Sequence, residues 1–385
     1  MLNFNFRNPV RIVFGKQTIA QLDSLIPQQE RILILLGGNS ARANGTLDEV
    51  KAALGNRTVF EFSGVEPNPT WETLMQAVEL VRKEKIGFLL AVGGGSVIDG
   101  TKFVAAAANF QGDTWSILET MGKNVTSALP FGTVLTLPAT GSEMNNGGVI
   151  TRKATHTKLP FLNDHVYPQF SILDPTKTFT LPTRQVANGI VDSFVHTLEQ
   201  YLTYPVQGMA QDRFAEGLLQ TLIEIAPGTL ENPLDYDLRA NLMWTATLAL
   251  NGLIGAGVPQ DWATHMIGHE LTARFGIDHA RTLAAILPAM LQERRVSKRA
   301  KLLQYAERVW KITDGDEEAR IDQAIQCTRS FFGSLGVPTS LRSYEVRPEE
   351  IDSVVEQLIA HGMTQIGEHR DVTPEVSRRI LQQSL

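Results

Sequence analysis

Three of the eight histidines of this chain lie within residues 262–279, WATHMIGHELTARFGIDH. His265 and His269 stand four residues apart, a spacing that places both imidazoles on one face of a helix. His279 follows a predicted helix end at Phe275-Gly276. Imidazole nitrogens are common ligands of divalent cations, so this cluster indicates a metal site.

A second pair with the same spacing lies upstream, where Asp192 and His196 occur in GIVDSFVHTLEQY. One carboxylate and two or three imidazoles from separate helices can close around one divalent cation. The alternative is that these are polar surface or satisfied core residues, because a single HxxxH often arises by chance. Two such pairs favour the metal site.

Composition excludes several classes of protein. The chain has 385 residues, enough for two domains, and its net charge of −6 leaves no basic footprint for nucleic acid. The one cysteine, Cys327, excludes a disulfide framework and a cysteine-based metal centre, and it is expected to be apolar filler in a helix. With no secretion signal and no run of 18 apolar residues, we expect no membrane span and a cytoplasmic location.

The first half alternates apolar runs with helical periods. Strands are predicted at 31–38, 58–65, 86–96 and 132–143, and a helix at 72–85. Continuous apolar strands separated by helices favour a parallel sheet covered on both faces. Ligands then belong at the carboxyl ends of its strands.

Beyond Leu181-Pro182 the pattern changes to helical segments with no strand between them. The sequence therefore predicts an α/β domain over residues 1–182 and an all-α domain over 183–385. A cleft between such domains is a common place for a ligand.

Three glycine-rich turns follow predicted strands of the first half. The strongest, GGGSVID at 93–99, enters a helix whose free N–H groups and dipole suit an anion such as a diphosphate. It is not a G-x-G-x-x-G fingerprint, and a tight turn that binds nothing is the alternative. The others lie at 37–45 and 138–148. Three turns at one sheet edge fit a dinucleotide better than a lone phosphate.

The turn at 37–45 also bears on the choice between NAD and NADP. It carries Asn39, Ser40 and Arg42, which can all donate to a phosphate, whereas an Asp would repel the 2′-phosphate of NADP. This favours NADP, the alternative being that Arg42 is a solvated surface charge. Lys158, in the polar loop TRKATHTKLP, either neutralises a cofactor phosphate or is plain surface.

Taken together, these motifs resemble a known family. GGGSVIDGTK, TLPATGSE, ILDPTKTFTLPTRQVANGIVDSFVHTLEQY and the HxxxH…GIDHA cluster look like the iron-containing (group III) alcohol dehydrogenases, in order and over nearly the whole chain. NPVRIVFGK, GVEPNP and NGLIGAGVPQDWATHMIGHELTA resemble its butanol-dehydrogenase-like branch, and within it the bacterial NADPH-dependent aldehyde reductases.

The resemblance implies a Rossmann-like dinucleotide-binding α/β domain followed by an all-α metal-binding domain, a dehydroquinate synthase-like architecture. Its metal ligands fall on Asp192, His196, His265 and His279. His269 falls on a position near the metal that does not ligate it, a candidate catalytic proton relay or cofactor contact, and a ribose hydroxyl of the cofactor is the other candidate proton donor. Its cofactor contacts fall on Gly37, Gly38, Asn39, Ser40, Asn68, Gly94, Gly95, Ser96, Asp99, Thr136, Thr140, Ser142 and Lys158.

The implied activity is metal-dependent hydride transfer from NADPH to short- and medium-chain aldehydes, giving primary alcohols, in a homodimer. Intrinsic affinity favours zinc as the ion, with iron(II) as the alternative. Trp262 and Leu253 are expected to line the pocket near the metal. Four other functions stay open: a polyol (glycerol-type) dehydrogenase, a dehydroquinate synthase-like lyase, a metal-dependent hydrolase and a non-catalytic nucleotide-binding protein.

Overall fold

The computed structural model describes all residues, 1–385. The chain forms two compact units. The sheet unit comprises residues 7–182 and 232–247, and the helical unit comprises residues 1–6, 183–231 and 248–385. Residues 232–247 thus lie in the sheet unit, although the sequence assigned everything after 182 to the helical domain.

The sheet unit is built on a six-stranded parallel sheet with the order β1-β8-β5-β4-β2-β3, and a separate antiparallel pair, β6-β7. The strands are β1 (Arg11–Phe14), β2 (Arg31–Leu36), β3 (Thr58–Phe62), β4 (Phe88–Gly94), β5 (Phe131–Leu137), β6 (Gly147–Arg152), β7 (Thr157–Leu162) and β8 (Phe170–Leu173).

Fifteen α-helices complete the two units. They are α1 (Leu22–Leu25), α2 (Ser40–Ala43), α3 (Thr46–Leu54), α4 (Trp71–Glu84), α5 (Gly95–Ala108), α6 (Ser116–Glu119), α7 (Thr183–Tyr201), α8 (Met209–Glu231), α9 (Tyr236–Ala249), α10 (Ala263–Phe275), α11 (His279–Glu293), α12 (Arg299–Arg308), α13 (Glu317–Ser334), α14 (Ile351–Ala360) and α15 (Pro374–Gln383).

The prediction of a parallel sheet covered on both faces is confirmed. Strands β2, β4 and β5 are almost entirely buried, since one face packs into a core with α4 and α5 and the other into a core with α1 and α3. The helix predicted at 72–85 is α4, which begins where the Thr70 hydroxyl accepts from the Thr73 N–H and ends at Lys85 with a φ of 51°.

The antiparallel pair was not predicted, because its polar residues resemble those of a loop. In β6 and β7 the side chains of Ile150 and Phe161 are buried against the core of the sheet unit, while neighbouring residues are partly exposed. Lys158 therefore lies on a strand and not in the predicted polar loop. It is also buried, so the interpretation of Lys158 as plain surface is wrong.

The helical unit contains only helices and connecting turns, apart from one isolated bridge, so its predicted class is confirmed. Buried apolar side chains from α10, α11, α14 and α15 form one core, which includes Ile267, Ile286, Val354 and Ile380. Helix α15 was not predicted. No helix of the chain combines the length and the apolarity needed to cross a membrane.

Candidate metal and nucleotide sites

Helix α7 carries the first two predicted metal ligands. Asp192 and His196 lie one turn apart and are both buried, with 3% and 5% of their surface exposed. Nearly every residue from Val186 to Tyr201 is buried. A carboxylate on such a helix needs a partner, because burying an unpaired charge costs several kcal/mol, on the order of 5 or more.

Helix α10 carries His265 and His269, both buried on the same helix one turn apart. The helix ends at Phe275 as predicted, since Gly276 adopts a φ of 68° and its N–H donates to the Thr272 carbonyl. This left-handed residue turns the chain sharply toward the next helix.

His279 is the first residue of α11. The carboxylate of the preceding Asp278 accepts hydrogen bonds of 2.9 Å from Asn188 Nδ2 and Arg184 Nε, both on α7. These contacts tie the start of α11 to α7. Three helices therefore bring the four predicted ligands to one region of the helical unit.

The geometry of these side chains suits a divalent cation. One ligand atom each from Asp192, His265 and His279 lie within 4.8 Å of one another. Asp192 Oδ1 is 3.7 Å from His279 Nε2 and 3.8 Å from His196 Nδ1. Ligands of a tetrahedral zinc ion lie about 3.4 Å apart, so small side-chain movements would complete the shell.

His196 lies at the edge of this cluster and is not in the mutually close group of three. Its ring stacks on that of His265 with centroids 4.6 Å apart. Asp192 Oδ1 is buried and accepts no hydrogen bond, which is unusual for a carboxylate in a protein interior. A bound cation would satisfy this oxygen, so the residues present fit a metal ion.

His269 lies beside the predicted ligands, with its ring 5.1 Å from that of His279 and 6.3 Å from that of His265. Trp262, expected to line the pocket, has its ring 5.2 Å from that of His265. The indole thus covers one side of the histidine cluster with apolar surface.

Sequence reasoning missed Glu199, which lies three residues after His196 in α7. Its Oε2 contacts Nδ1 of His265. Burial and then the neighbouring Asp261 carboxylate raise the pKa of Glu199 well above its ordinary value, and the hydrogen bond from the Thr264 backbone N–H is the largest effect that opposes the shift. The i, i+4, i+7 spacing from Asp192 through His196 to Glu199 was the signal that could have revealed it.

The three predicted glycine-rich turns meet at one edge of the sheet. They follow β2, β4 and β5, which are consecutive neighbours and parallel. Carboxyl ends of adjacent parallel strands face the same side, where open α/β sheets bind ligands.

The turn after β4 offers an anion site at the start of α5. Its N-cap residue, Gly94, has no side chain to bond the first N–H groups of the helix. A Cβ on Gly95 would lie 2.3 Å from Thr140 Oγ1, so the turns after β4 and β5 touch only because this residue is glycine. The free helix N-terminus fits the diphosphate of a dinucleotide.

Most other predicted nucleotide contacts lie around this turn. Ser96 Oγ accepts a 3.3 Å hydrogen bond from the Asn68 N–H, and Asn68 Oδ1 accepts a 2.8 Å bond from Lys158 Nζ. The carboxylate of Asp99 accepts from Ser142 Oγ at 2.6 Å and from the backbone N–H of Val149 at 3.0 Å. Thr136, near the end of β5, is buried.

The turn after β2 is open to solvent. Gly37 is partly exposed, and Gly38, Asn39 and Ser40 are exposed. Arg42 Nη2 donates to Glu61 Oε2 at 2.5 Å and to Ser63 Oγ at 3.0 Å. Its guanidinium is thus an ion-pair partner of Glu61 rather than a bare surface charge.

Lys102 is a second residue that sequence reasoning missed. The buried Nζ donates to Ser142 Oγ, Asn145 Oδ1 and the Gly147 carbonyl, at 2.9, 2.8 and 2.6 Å, and so joins the turn after β5 to β6. Burial lowers the pKa of Lys102 to about 8, against the opposing charges of Asp99 and Glu143.

Both halves of the chain match models of one family. Residues 9–175 match iron-containing alcohol dehydrogenase, and residues 186–385 match the C-terminal model of the Fe-containing alcohol dehydrogenase family. The NADPH-dependent aldehyde reductase YqhD of Escherichia coli K12 is 61% identical over 382 residues, 99% of each chain.

Solved structures agree with these matches. The substrate- and cofactor-free form of the aldehyde reductase YqhD from E. coli has a TM-score of 0.94 at 58% identity, covering 100% of both chains. The NADH-dependent butanol dehydrogenase A of Thermotoga maritima has a TM-score of 0.95 at 35% identity, covering 100% of this chain and 99% of the other. The chain therefore belongs to the iron-containing alcohol dehydrogenase family.

Proposed function

We propose that this protein is a metal-dependent, NADPH-dependent aldehyde reductase that converts short- and medium-chain aldehydes to primary alcohols. The observation that carries the proposal is the convergence of Asp192, His265 and His279, with His196 alongside, in a chain 61% identical to an NADPH-dependent aldehyde reductase. The activity is reversible hydride transfer.

In the helical unit, Asp192, His196, His265 and His279 would hold the ion. A bound divalent cation supplies positive charge that polarises a carbonyl and stabilises an alkoxide. His269 lies within the same cluster, with its ring 5.1 Å from that of His279, and is the proposed residue that holds a proton for the product oxygen.

In the sheet unit, the turns after β2, β4 and β5 would hold the dinucleotide. The N–H groups at Gly95 and Ser96 would donate to the diphosphate, and Lys158, held by Asn68, would add a positive charge. Gly37, Gly38, Asn39 and Ser40 form the exposed turn where donors without a carboxylate suit the 2′-phosphate of NADP. Asp99 and Ser142 bond to each other and keep the turns in place.

The identity of the ion is a separate question. One carboxylate and three imidazoles form a borderline donor set, for which intrinsic affinity favours zinc over iron(II). The family name points to iron. We propose zinc, and elemental analysis of protein purified without added metal tests it: iron in excess of zinc would contradict the choice.

A spectrophotometric assay tests the function. We expect NADPH absorbance to fall when butanal is added, and this loss to stop after complete metal removal and return with added ion. His265→Ala should abolish turnover, by at least about 10³-fold, and keep NADPH binding. No butanal-dependent loss of NADPH would overturn the reductase. Turnover without metal would overturn the role of the ion.

We also propose a homodimer formed through β1. This strand is at the edge of the sheet. Its last residue, Phe14, and Trp244 on α9 are 40% and 38% exposed, with ring centroids 6.2 Å apart. Exposed edges and aromatic patches are common sites of association. Light scattering should give twice the chain mass, and Phe14→Lys should shift it toward the monomer. A cytoplasmic location stays a prediction.

A further inference from the structure

Both carboxylate oxygens of Glu199 are used to hold α10. Oε2 contacts Nδ1 of His265, and Oε1 accepts a 2.7 Å hydrogen bond from the backbone N–H of Thr264. The side chain is almost completely buried, with 3% of its surface exposed. It therefore fixes both the ring of a proposed metal ligand and the backbone beside it.

The start of α10 depends on such outside partners. Its N-cap residue, Trp262, has a φ of 63° and makes no side-chain capping bond. Two carboxylates from outside the helix cap it instead. The N–H of Ala263 donates to Asp261 Oδ1 at 3.1 Å, and the N–H of Thr264 donates to Glu199 Oε1 at 2.7 Å. These two carboxylates determine where the helix that carries His265 begins.

The buried Lys298 forms an ion pair with one of these two carboxylates, that of Asp261. Lys298 Nζ is 2.9 Å from Asp261 Oδ2 and 2.5 Å from Glu368 Oε1, and it donates to the Leu202 carbonyl at 2.6 Å. The backbone N–H of Asp261 donates to the Glu199 carbonyl at 2.9 Å. Lys298 thus pairs with two carboxylates, those of Asp261 and Glu368, and is linked to Glu199 through the backbone of Asp261.

We propose that Glu199 is the positioning residue of the metal centre. Its carboxylate accepts the Nδ1–H of His265, holds the imidazole ring in place and selects the tautomer whose Nε2 can ligate. Carboxylates that orient metal-binding histidines in this way typically contribute about 10- to 100-fold in metal affinity. This inference depends on the proposed metal site.

Metal titration of metal-free protein tests it without using activity. Zn²⁺ affinity would be measured by competition with a chelator, and Co²⁺ geometry by visible absorption. In Glu199→Gln we expect the Zn²⁺ dissociation constant to rise about 10- to 100-fold and the Co²⁺ bands to shift. Glu270→Gln is the matched control, because that buried carboxylate on α10 bonds to His361 Nδ1 at 2.7 Å. It should stay within about twofold of wild type.

The outcomes separate this inference from the site on which it rests. If wild-type protein binds neither ion, the metal site itself is wrong. If wild type binds and Glu199→Gln matches it in affinity and spectrum, Glu199 is only a helix anchor and the inference is overturned. An equal loss of Zn²⁺ affinity in Glu270→Gln would also overturn the inference, because the loss would then be a general effect of removing a buried carboxylate.

A shorter carboxylate covers the case in which Glu199→Gln does not fold. Glu199→Asp keeps the charge but cannot reach both Thr264 and His265, so we expect at least about tenfold weaker Zn²⁺ binding. Affinity within twofold of wild type in this variant would contradict the positioning role.

Discussion

Asn39 is the residue that we propose sets the preference between NADPH and NADH. It is exposed in the turn after β2, next to Ser40. We expect Asn39→Asp to weaken NADPH use and favour NADH, because a carboxylate repels a 2′-phosphate and accepts from ribose hydroxyls. The ratio of kcat/KM for NADPH to that for NADH should fall at least about tenfold, or about 1.4 kcal/mol.

A matched control for charge is Asn56→Asp, at another exposed position of the sheet unit. It changes the net charge equally and should leave the cofactor ratio within about twofold of wild type. If both variants lower the ratio alike, the preference comes from overall charge and the role of Asn39 is wrong.

Glu143 is a buried carboxyl group whose protonation should affect stability. Thr247 Oγ1 donates to Oε1 at 2.5 Å, but Oε2 has no hydrogen-bond partner. Burial raises the pKa of Glu143 above its ordinary value of 4.5. The folded state therefore binds more protons than the unfolded state as the pH rises above 4.5, and the free energy of unfolding falls through that window.

Glu143→Gln should remove this fall. Relative to wild type, its free energy of unfolding should improve between pH 5 and pH 7, because Gln has no proton to lose while the wild type loses stability as its carboxyl group ionises. Urea unfolding at both pH values measures this. The range stays below the pKa of Lys102, about 8, so that neighbour keeps its charge. Parallel changes in the two proteins would show that Glu143 is already ionised throughout.

At the scale of elements, the turns after β4 and β5 can pack against each other because Gly95 has no side chain. A Cβ on Gly95 would lie 2.3 Å from Oγ1 and 2.6 Å from Cγ2 of Thr140, so one turn has to move. We expect Gly95→Ala to weaken NADPH binding at least about tenfold, because in the proposed nucleotide site α5 presents its N–H groups to the diphosphate from this position. Fluorescence titration with NADPH measures the change, and Zn²⁺ affinity should not alter.

Gly217→Ala on α8 is the control for this substitution, because there is room for the added methyl group. A Cβ there meets nothing within 4 Å, and the residue is exposed in the helix. It should leave NADPH binding unchanged and stabilise the protein by about 0.5–1 kcal/mol. Unchanged NADPH affinity in Gly95→Ala would show that the two turns can separate without disturbing the nucleotide site.

Elements with continuous apolar patterns were predictable from the sequence, and elements whose burial depends on distant partners were not. Strands β2, β4 and β5 and helix α7 follow from local patterns. The pair β6-β7 and helix α15 are too polar to stand out. Glu199 was not singled out in the sequence, because its partner, His265, is 66 residues away.

At the scale of the whole molecule, the chain returns to the sheet unit after leaving it. Residues 232–247 belong to that unit, where Met243 is completely buried in the core with α4 and α5, and Thr247 donates to Glu143. A cut at the predicted boundary therefore removes core apolar surface from the sheet unit and leaves a buried carboxyl without its hydrogen-bond donor.

We therefore expect residues 1–182 alone to lack a cooperative thermal transition in circular dichroism. Losing Met243 resembles a large-to-small core substitution, which costs about 2–5 kcal/mol, a large part of the stability of a typical domain. Joining residues 232–249 to this fragment through a flexible linker should restore both the transition and NADPH binding. A fragment 1–182 that melts cooperatively and binds NADPH without the added segment would show that the returning helix is dispensable.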